Sequence, residues 1–354
     1  MTRAVIAGSG SSIPPNRITN DMLATIMETS DAWIRERSGV EVRQWVDPGT
    51  STLALSVPAA RQAIDSAGLA AADIDMVVYA TMSPDYYMPG NGCLLQAAIG
   101  LPSVPCFDIR QQCSGFVYGL QLADAHVRAG LARNVLLVGA DVHSAFMPFR
   151  EASWARLAGA VDTPMPQDEW DFNTQNRHLE VLFGDGAAAV VVQAFEGEGR
   201  GLIDHLIGAD GTDFDRLYIP GAGTRNRPYI DRALLERNEQ WPRMDGRYVF
   251  KMATTRMAEV TQQILARNGV RPDDLTLVLM HQANRRINEY VQKLLGLPDS
   301  KVIHNIQKYG NTTAATIPLL WDEAVRTGRI TPGDLVLTVA FGAGMSWGAN
   351  LLRA

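Results

Sequence analysis

Residues 64–81 read IDSAGLAAADIDMVVYAT, and residues 264–282 read ILARNGVRPDDLTLVLMHQ. Each has the same grammar: a helix end, a glycine stop at Gly68 or Gly269, an acidic turn, then an apolar run. A second pair follows the first in the same order. Residues 125–141, AHVRAGLARNVLLVGAD, match residues 323–344, EAVRTGRITPGDLVLTVAFGAG, as a helix end leading into a buried strand. Gly68 and Gly130 lie 62 residues apart and Gly269 and Gly328 lie 59 apart, so order and spacing are both kept. Self-similarity at fixed spacing is the signature of a duplicated unit, here an α/β one.

Outward from these landmarks, the runs Met76 to Tyr79, Val135 to Val138, Ala187 to Val192, Leu275 to Met280 and Leu335 to Val339 are continuously apolar. Sheets covered by helices on both faces need such strands. Further strands are expected over Val104 to Ile109 and Lys301 to Ile306. Asn284 to Leu295 reads as an amphipathic helix whose buried face is Ile287, Tyr290, Val291, Leu294 and Leu295. The expected architecture is layered α/β in two similar halves, residues 1–198 and 199–354, with the join between Phe195 and Gly201. Residues 143–180 interrupt the pattern as an insertion with a helix over Phe149 to Val161. Pro220 to Gly246 reads as a long loop, and loops of such length are usually functional or mobile.

The composition narrows the function classes. The chain has 354 residues, 46% of them hydrophobic and 20% charged, which is long enough for about two domain-sized cores. A net charge of −6 gives no reason to expect a nucleic-acid partner, which needs a basic face. Three cysteines, Cys93, Cys106 and Cys113, without CxxC spacing, argue against a disulfide framework or structural zinc, and for a reducing compartment, the cytoplasm by default. No apolar run approaches the ~20 residues of a membrane span, and no signal peptide is read at the start of the chain. Gly8-Ser9-Gly10-Ser11-Ser12-Ile13 lacks the third glycine of a dinucleotide fingerprint, and there is neither a P-loop nor an HExxH metal spacing.

The chemistry-bearing residues fall on the duplication. Cys113 follows one strand and precedes a helix with Phe116, Leu120, Ala123 and Val127 on one face, so it sits at a helix N-terminus. That position favours the thiolate and is expected to lower the thiol pKa. The half-to-half offset of 198 to 201 residues carries Cys113 to residues 311–314, where Asn311 stands. His281 closes the strand Leu275 to Met280, at the strand ends where such sheets bind ligands. Singly, a cysteine can be a small buried hydrophobe, a histidine a satisfied polar residue and an asparagine a turn former. Cys93 and Cys106 keep the buried reading. The run Phe341-Gly342-Ala343-Gly344 fits either a tight turn or a backbone donor to an oxyanion.

DIRQQCSGFVYGL (108–120), LFGDGAAAVV (182–191), HQANRRI (281–287), KYGNTTAATIP (308–318) and AFGAGMSWGA (340–349) resemble the signature segments of β-ketoacyl-acyl-carrier-protein synthase III, a condensing enzyme of the thiolase superfamily. The resemblance implies a thiolase-like five-layer αβαβα fold, a homodimer, and a catalytic triad of Cys113, His281 and Asn311. It implies that an acyl-CoA primer is loaded on Cys113 and condensed, with decarboxylation, onto malonyl-acyl carrier protein in fatty acid biosynthesis. The oxyanion hole falls on the backbone of Cys113 and Ala343, coenzyme A contacts on Trp33, Arg37 and Arg177, carrier-protein docking on Arg285, Arg286 and Lys293, and the acyl channel on Met88 and Phe341. No metal or redox cofactor is implied; coenzyme A enters as the substrate thioester.

Two relatives inside the superfamily separate by residue type. Thiolases carry a second catalytic cysteine in the last glycine-rich segment, absent from Phe341 to Trp347, and elongating synthases carry a second histidine where this chain has Asn311. Departures from the family pattern are Met88, where an aromatic residue is common, Ala343 in place of glycine, and the longer segment 143–180. Phe146, Met147, Phe149, Trp154 and Trp170 in that segment fit either an acyl tunnel or dimer packing. Together the departures favour a medium-length primer. The alternatives are a secondary-metabolism condensing enzyme or acyltransferase, for example one loading an aromatic acyl group such as anthranilate, and a non-catalytic thiolase-fold scaffold.

Overall fold

A computed structural model describes residues 2–354. Two sheets carry the duplication. The first has the strand order Arg3–Ser12, Gly186–Phe195, Asn134–Asp141, Met76–Ala80, Cys106–Ile109. The second runs Gly201–Ala209, Ser346–Arg353, Leu335–Gly342, Leu277–Met280. Both pair antiparallel, antiparallel, then parallel across those strands. In the first sheet a parallel fifth strand follows. In the second, its place is held by one parallel bridge between Val278 and Val302.

Layering follows from which helix faces are apolar. Helices Gly115–Arg128 and Thr316–Arg326 lie between the sheets, where Phe116, Leu120, Ile317 and Leu320 share one core with Val78, Leu137, Leu279 and Val336. Thr52–Ser66 and Asn91–Ile99 cover the outer face of the first sheet, while Gly246–Arg267 and Arg285–Leu294 cover that of the second. The result is αβαβα. Each fully buried Leu or Phe in these cores contributes about 1.5–3 kcal/mol of transfer free energy, which is why strands covered on both faces are apolar throughout. Gly8 and Gly10 act here too: a Cβ on either would fall 2.4 Å from the carbonyl oxygen of Ala63 or Ala59, so only glycine lets the helix Thr52–Ser66 lie this close.

Several expectations are corrected. The strand expected over Lys301 to Ile306 is absent; a 3₁₀ turn at Asp299–Lys301 and a short helix, Ile306–Tyr309, flank the single bridge at Val302. Tyr290 and Leu294 are about half exposed, so the buried face of Arg285–Leu294 is narrower than its apolar letters suggest. Cys93 is exposed, its Sγ directed to the carbonyl of Gly90, and is no core residue. The segment 143–180 forms two helices, Glu151–Leu157 and Gln167–Glu180. Phe149 and Trp154 pack on Trp45, with ring centroids 6.0 and 5.6 Å away; Phe149 and Trp45 belong to a buried cluster, while Trp154 stays exposed at its edge. These contacts are within the chain itself. Pro220 to Gly246 contains a short helix, Arg232–Glu236, and a two-residue strand, Arg243–Met244.

Candidate active site

Two sharp turns, one from each half, meet between the sheets. Gln112–Ser114 and Thr313–Ala315 are 3₁₀ turns that lead into the two central helices, and each opens on a residue with positive φ, Gln112 at 44° and Thr313 at 50°. Backbone held in that region stores strain and is typical of functional turns. The turns superpose the repeat differently from the letter count: Gln112 matches Thr313, so the counterpart of Cys113 is Ala314. Asn311 stands on the approach to its turn. Gly342 packs on the other side of the Cys113 turn, where a Cβ would come within 3.1 Å of both Cβ and N of Cys113.

Cys113, His281, Asn311 and Phe341 line one cavity of about 690 Å³. Its walls are mainly apolar, with Leu217, Val249, Phe250 and Met257 among them. Asn311 is fixed from both sides. Its N–H donates to the carbonyl of Leu182 at 2.8 Å, its carbonyl accepts from Gly184 N–H at 3.1 Å, and its side-chain oxygen accepts from Thr313 N–H at 2.9 Å. With Oδ1 committed, the Nδ2 donors are the part of the amide left for a ligand. His281, 1% exposed, has its Nδ1 2.7 Å from the Thr316 hydroxyl, while Nε2 has no partner. Burial lowers its pKa from 6.5 to about 3, so the ring is neutral at physiological pH.

A third buried group ties the halves together. Asp141, at the end of its strand in the first sheet, accepts from the Thr81 hydroxyl at 2.9 Å, from Met82 N–H at 2.7 Å and from the Ser83 hydroxyl at 3.0 Å. Its other oxygen accepts from Ala314 N–H at 3.1 Å and from the Thr313 hydroxyl. Burial raises its pKa, and the hydrogen bonds from Thr313 and Met82 oppose that rise. Sequence reading missed Asp141; its position at a strand end beside one turn gave no sign of the second turn.

The expected low thiol pKa is not found. Burial pushes Cys113 up to about 12, with the negative charge of Asp141 adding to the rise and a backbone N–H opposing it. Desolvation of a thiolate in this largely apolar cavity outweighs the partial charge of one helix N-terminus.

The cavity mouth is cationic and aromatic. Trp33 lies in the helix Asp31–Ser38, N-capped by Ser30, whose side chain accepts from Trp33 N–H at 3.1 Å. The guanidinium carbons of Arg37 and Arg177 sit 4.5 and 4.8 Å from the Trp33 ring centre. Trp33 and Arg37 line the cavity; Arg177 does not, and its guanidinium also donates to the carbonyl of Glu28. Arg286 lines the mouth and Lys293 is exposed on the same helix. Arg285 is instead held by Glu289 at 2.8 Å, which subtracts it from the free basic patch expected there. Arg247, which sequence reading passed over beside the long loop, also lines the mouth. Met88 is 83% exposed beside Tyr86 and Tyr87 and does not line this cavity. Among the described residues no cluster of His, Cys, Asp or Glu has metal-holding geometry, and no helix is long and apolar enough to cross a membrane.

Comparison with known proteins gives the family. A profile for 3-oxoacyl-[acyl-carrier-protein (ACP)] synthase III matches residues 107–161 and 170–211, and one for the C-terminal part of the same family matches residues 265–354. The break at 162–169 falls inside the insertion. A β-ketoacyl-[acyl-carrier-protein] synthase III of Rhodospirillum rubrum is 40% identical over the whole of both chains, and one of Caldanaerobacter subterraneus is 38% identical over 99% of this chain and 97% of its own. The crystal structure of 3-oxoacyl-[acyl-carrier-protein] synthase III from Aquifex aeolicus superposes with a TM-score of 0.84 at 35% identity, covering 99% of this chain and 100% of that one. The priming β-ketosynthase of the R1128 polyketide pathway superposes at 0.83 with 28% identity, covering 99% and 96%. With its thiolase-like αβαβα fold and these relatives, the chain belongs to the β-ketoacyl-[acyl-carrier-protein] synthase III family of condensing acyltransferases.

Proposed function

We propose that this chain condenses an acyl-CoA primer with malonyl-acyl carrier protein through an acyl-Cys113 intermediate. The observation that carries the reading is the convergence of Cys113, the unpartnered Nε2 of His281 and the free amide of Asn311 on one cavity with Trp33 and Arg37 at its mouth. In the first step Cys113 Sγ attacks the thioester carbonyl, and backbone N–H groups of Cys113 and Ala343 stabilise the oxyanion. The C–S bond to coenzyme A breaks, and the cysteine proton ends on the departing thiol. Because the free thiol is strongly desolvated, the sulfur ionises only as bond formation spreads its charge over the carbonyl oxygen and those donors.

In the second step malonyl thioester enters and carbon dioxide leaves, its C–C electron pair becoming an enolate. His281 Nε2–H and Asn311 Nδ2–H donate to the enolate oxygen. The tautomer is set by Thr316: a hydroxyl hydrogen directed to Nδ1 at 2.7 Å, rather than to the Thr313 carbonyl at 3.1 Å, leaves the ring proton on Nε2. A neutral ring serves as donor with no base required. The enolate carbon attacks the acyl-Cys113 carbonyl, and the cysteine sulfur leaves and takes up a proton.

Arg37 and Arg177, stacked on Trp33, are placed to hold the coenzyme A nucleotide, and Arg286, Lys293 and Arg247 to receive an acidic carrier protein. The mainly apolar 690 Å³ cavity and the flexible, exposed Met88 support a medium-length primer, with Met88 reaching a partner's channel in a homodimer. A cytoplasmic location fits the reduced cysteines this chemistry needs. Intact-protein mass spectrometry after mixing with a ladder of acyl-CoAs tests the reading: an acyl adduct on the native chain and none on Cys113→Ala supports it. No adduct from any primer refutes it. The likeness to the R1128 priming ketosynthase favours a second reading, priming of a specialised pathway, which product analysis with malonyl thioester separates from transfer to oxygen or nitrogen.

A further inference from the structure

Behind Phe183, which forms one wall of the catalytic cavity, lies a second cavity of about 120 Å³. Phe146, Met147, Phe172, Leu179 and Trp241 make it largely apolar; Asn176, Asn238 and Arg243 line its more open side, and the two buried polar side chains in its wall are His143 and Glu180. Glu180 is 1% exposed, and neither carboxylate oxygen has a hydrogen-bond partner among the described residues. His143 is 3% exposed with Nδ1 equally unpartnered, and its ring stacks flat on Phe183 at 3.7 Å. Buried polar groups in folded proteins are almost always paired, so two orphans lining one void demand an explanation. Nothing in packing calls for a carboxyl at 180.

We propose that this second cavity receives the distal end of the primer and selects acyl groups that carry a hydroxyl. The inference rests on the acyl-Cys113 reading above, since it is the sulfur that would hold the other end of the primer. A hydroxyl both donates and accepts. Burial keeps Glu180 protonated, with its pKa raised to about 9, so the carboxyl likewise offers one donor and one acceptor, and neutral His143 adds a further site. The size suits a short hydroxyalkyl end: apolar cavities of about 150 Å³ take a benzene-sized group, so at about 120 Å³ a hydroxyaryl end marks the upper limit. Phe183 divides the two cavities, and its ring must yield for the primer to pass.

The test uses primer-CoA pairs matched in shape, hydroxyl against methyl: 5-hydroxypentanoyl and hexanoyl, 6-hydroxyhexanoyl and heptanoyl, 4-hydroxybenzoyl and 4-methylbenzoyl. Acylation of Cys113 is timed by intact-protein mass spectrometry on the full-length native chain. At least one hydroxylated member should acylate about tenfold or more faster than its methyl partner, since a site built to pair a hydroxyl discriminates against its loss. Glu180→Leu should reverse that ratio, and Glu180→Gln should keep part of it. Methyl primers equal to or faster than their partners across all pairs, or a ratio unmoved by Glu180→Leu, overturn the proposal and leave the acyl-Cys113 reading standing. Failure of every primer to acylate the native chain strikes that earlier reading instead. If Glu180→Leu does not fold, His143→Leu reads the same ratio from the other polar wall.

Discussion

Thr316→Val would test the tautomer of His281 directly. The substitution keeps the shape of the side chain and removes the one oxygen, 2.7 Å from Nδ1, that can fix where the imidazole carries its proton. Two costs follow. Leaving Nδ1 buried without a partner destabilises the fold by about 1–3 kcal/mol. In the reaction, outright loss of an oxyanion donor costs ~10²–10³ in rate. Valine leaves the ring in place and frees only its proton and its tilt, so decarboxylative condensation should fall about 10- to 100-fold, the lower part of that range and below. Acylation of Cys113 should survive, because in the proposed mechanism the Cys113 and Ala343 amides, not His281, stabilise the oxyanion of that step. Thr316→Ser should restore condensation. The assay pairs intact-protein mass spectrometry for the acyl adduct with carbon dioxide release from malonyl-acyl carrier protein. Condensation at the native rate by a folded Thr316→Val chain would refute the tautomer assignment. So would a gain, the outcome expected if the hydroxyl hydrogen points to the Thr313 carbonyl.

Three further outcomes are expected. Asn311→Ala should lose condensation by ~10²–10³ while Cys113 still acylates; a variant that condenses normally removes Asn311 from the mechanism. Arg286→Glu should raise the apparent KM for the carrier-linked substrate more than for a coenzyme A thioester, and equal effects in a steady-state comparison would argue against carrier docking at this helix. The third is a pH dependence of stability. Glu180 ionises at 4.5 when unfolded but holds its proton to about 9 when folded, so below pH 4.5 its ionisation costs the fold nothing, and stability is lost as pH rises from there toward 9. From pH 5 to pH 8 that amounts to about 4 kcal/mol at most, at 1.36 kcal/mol per unit. Glu180→Leu should therefore stabilise the chain more at pH 8 than at pH 5 in denaturant titrations, and equal gains would mean that the carboxyl is ionised in the fold. His143 and His281 act in the opposite sense, costing stability as pH falls from 6.5 toward 3.

Much of the architecture was legible because covered strands must be apolar throughout and helix ends need glycine stops, as at Gly68 and Gly269. Cys113, His281 and Asn311 were legible for the same reason: strand ends and turns recur at fixed offsets. What escaped depends on contacts between distant segments. The offset alone paired Cys113 with the neighbourhood of Asn311, whereas the turns pair it with Ala314. Periodicity placed Tyr290 and Leu294 in a core that the neighbouring elements leave open. A helix N-terminus promised a low thiol pKa, and desolvation by the apolar walls around the sulfur, invisible in a local window, reversed the sign. Glu180 sits in a polar-looking helix end whose letters give no hint that both carboxylate oxygens are enclosed.

Asp141 has a consequence for how activity is acquired. Its carboxyl belongs to the first sheet but grips the backbone and hydroxyl of the turn that follows Asn311, whose central helix packs against both sheets. In the proposed mechanism the sulfur and the two enolate donors thus come into register only when the duplicated units have closed on each other. Neither unit made alone would possess a partial version of the chemistry. Co-expressed fragments divided between Phe195 and Gly201 would regain acylation and condensation together on reassociation, which makes turnover itself a reporter of docking between the ancient repeats.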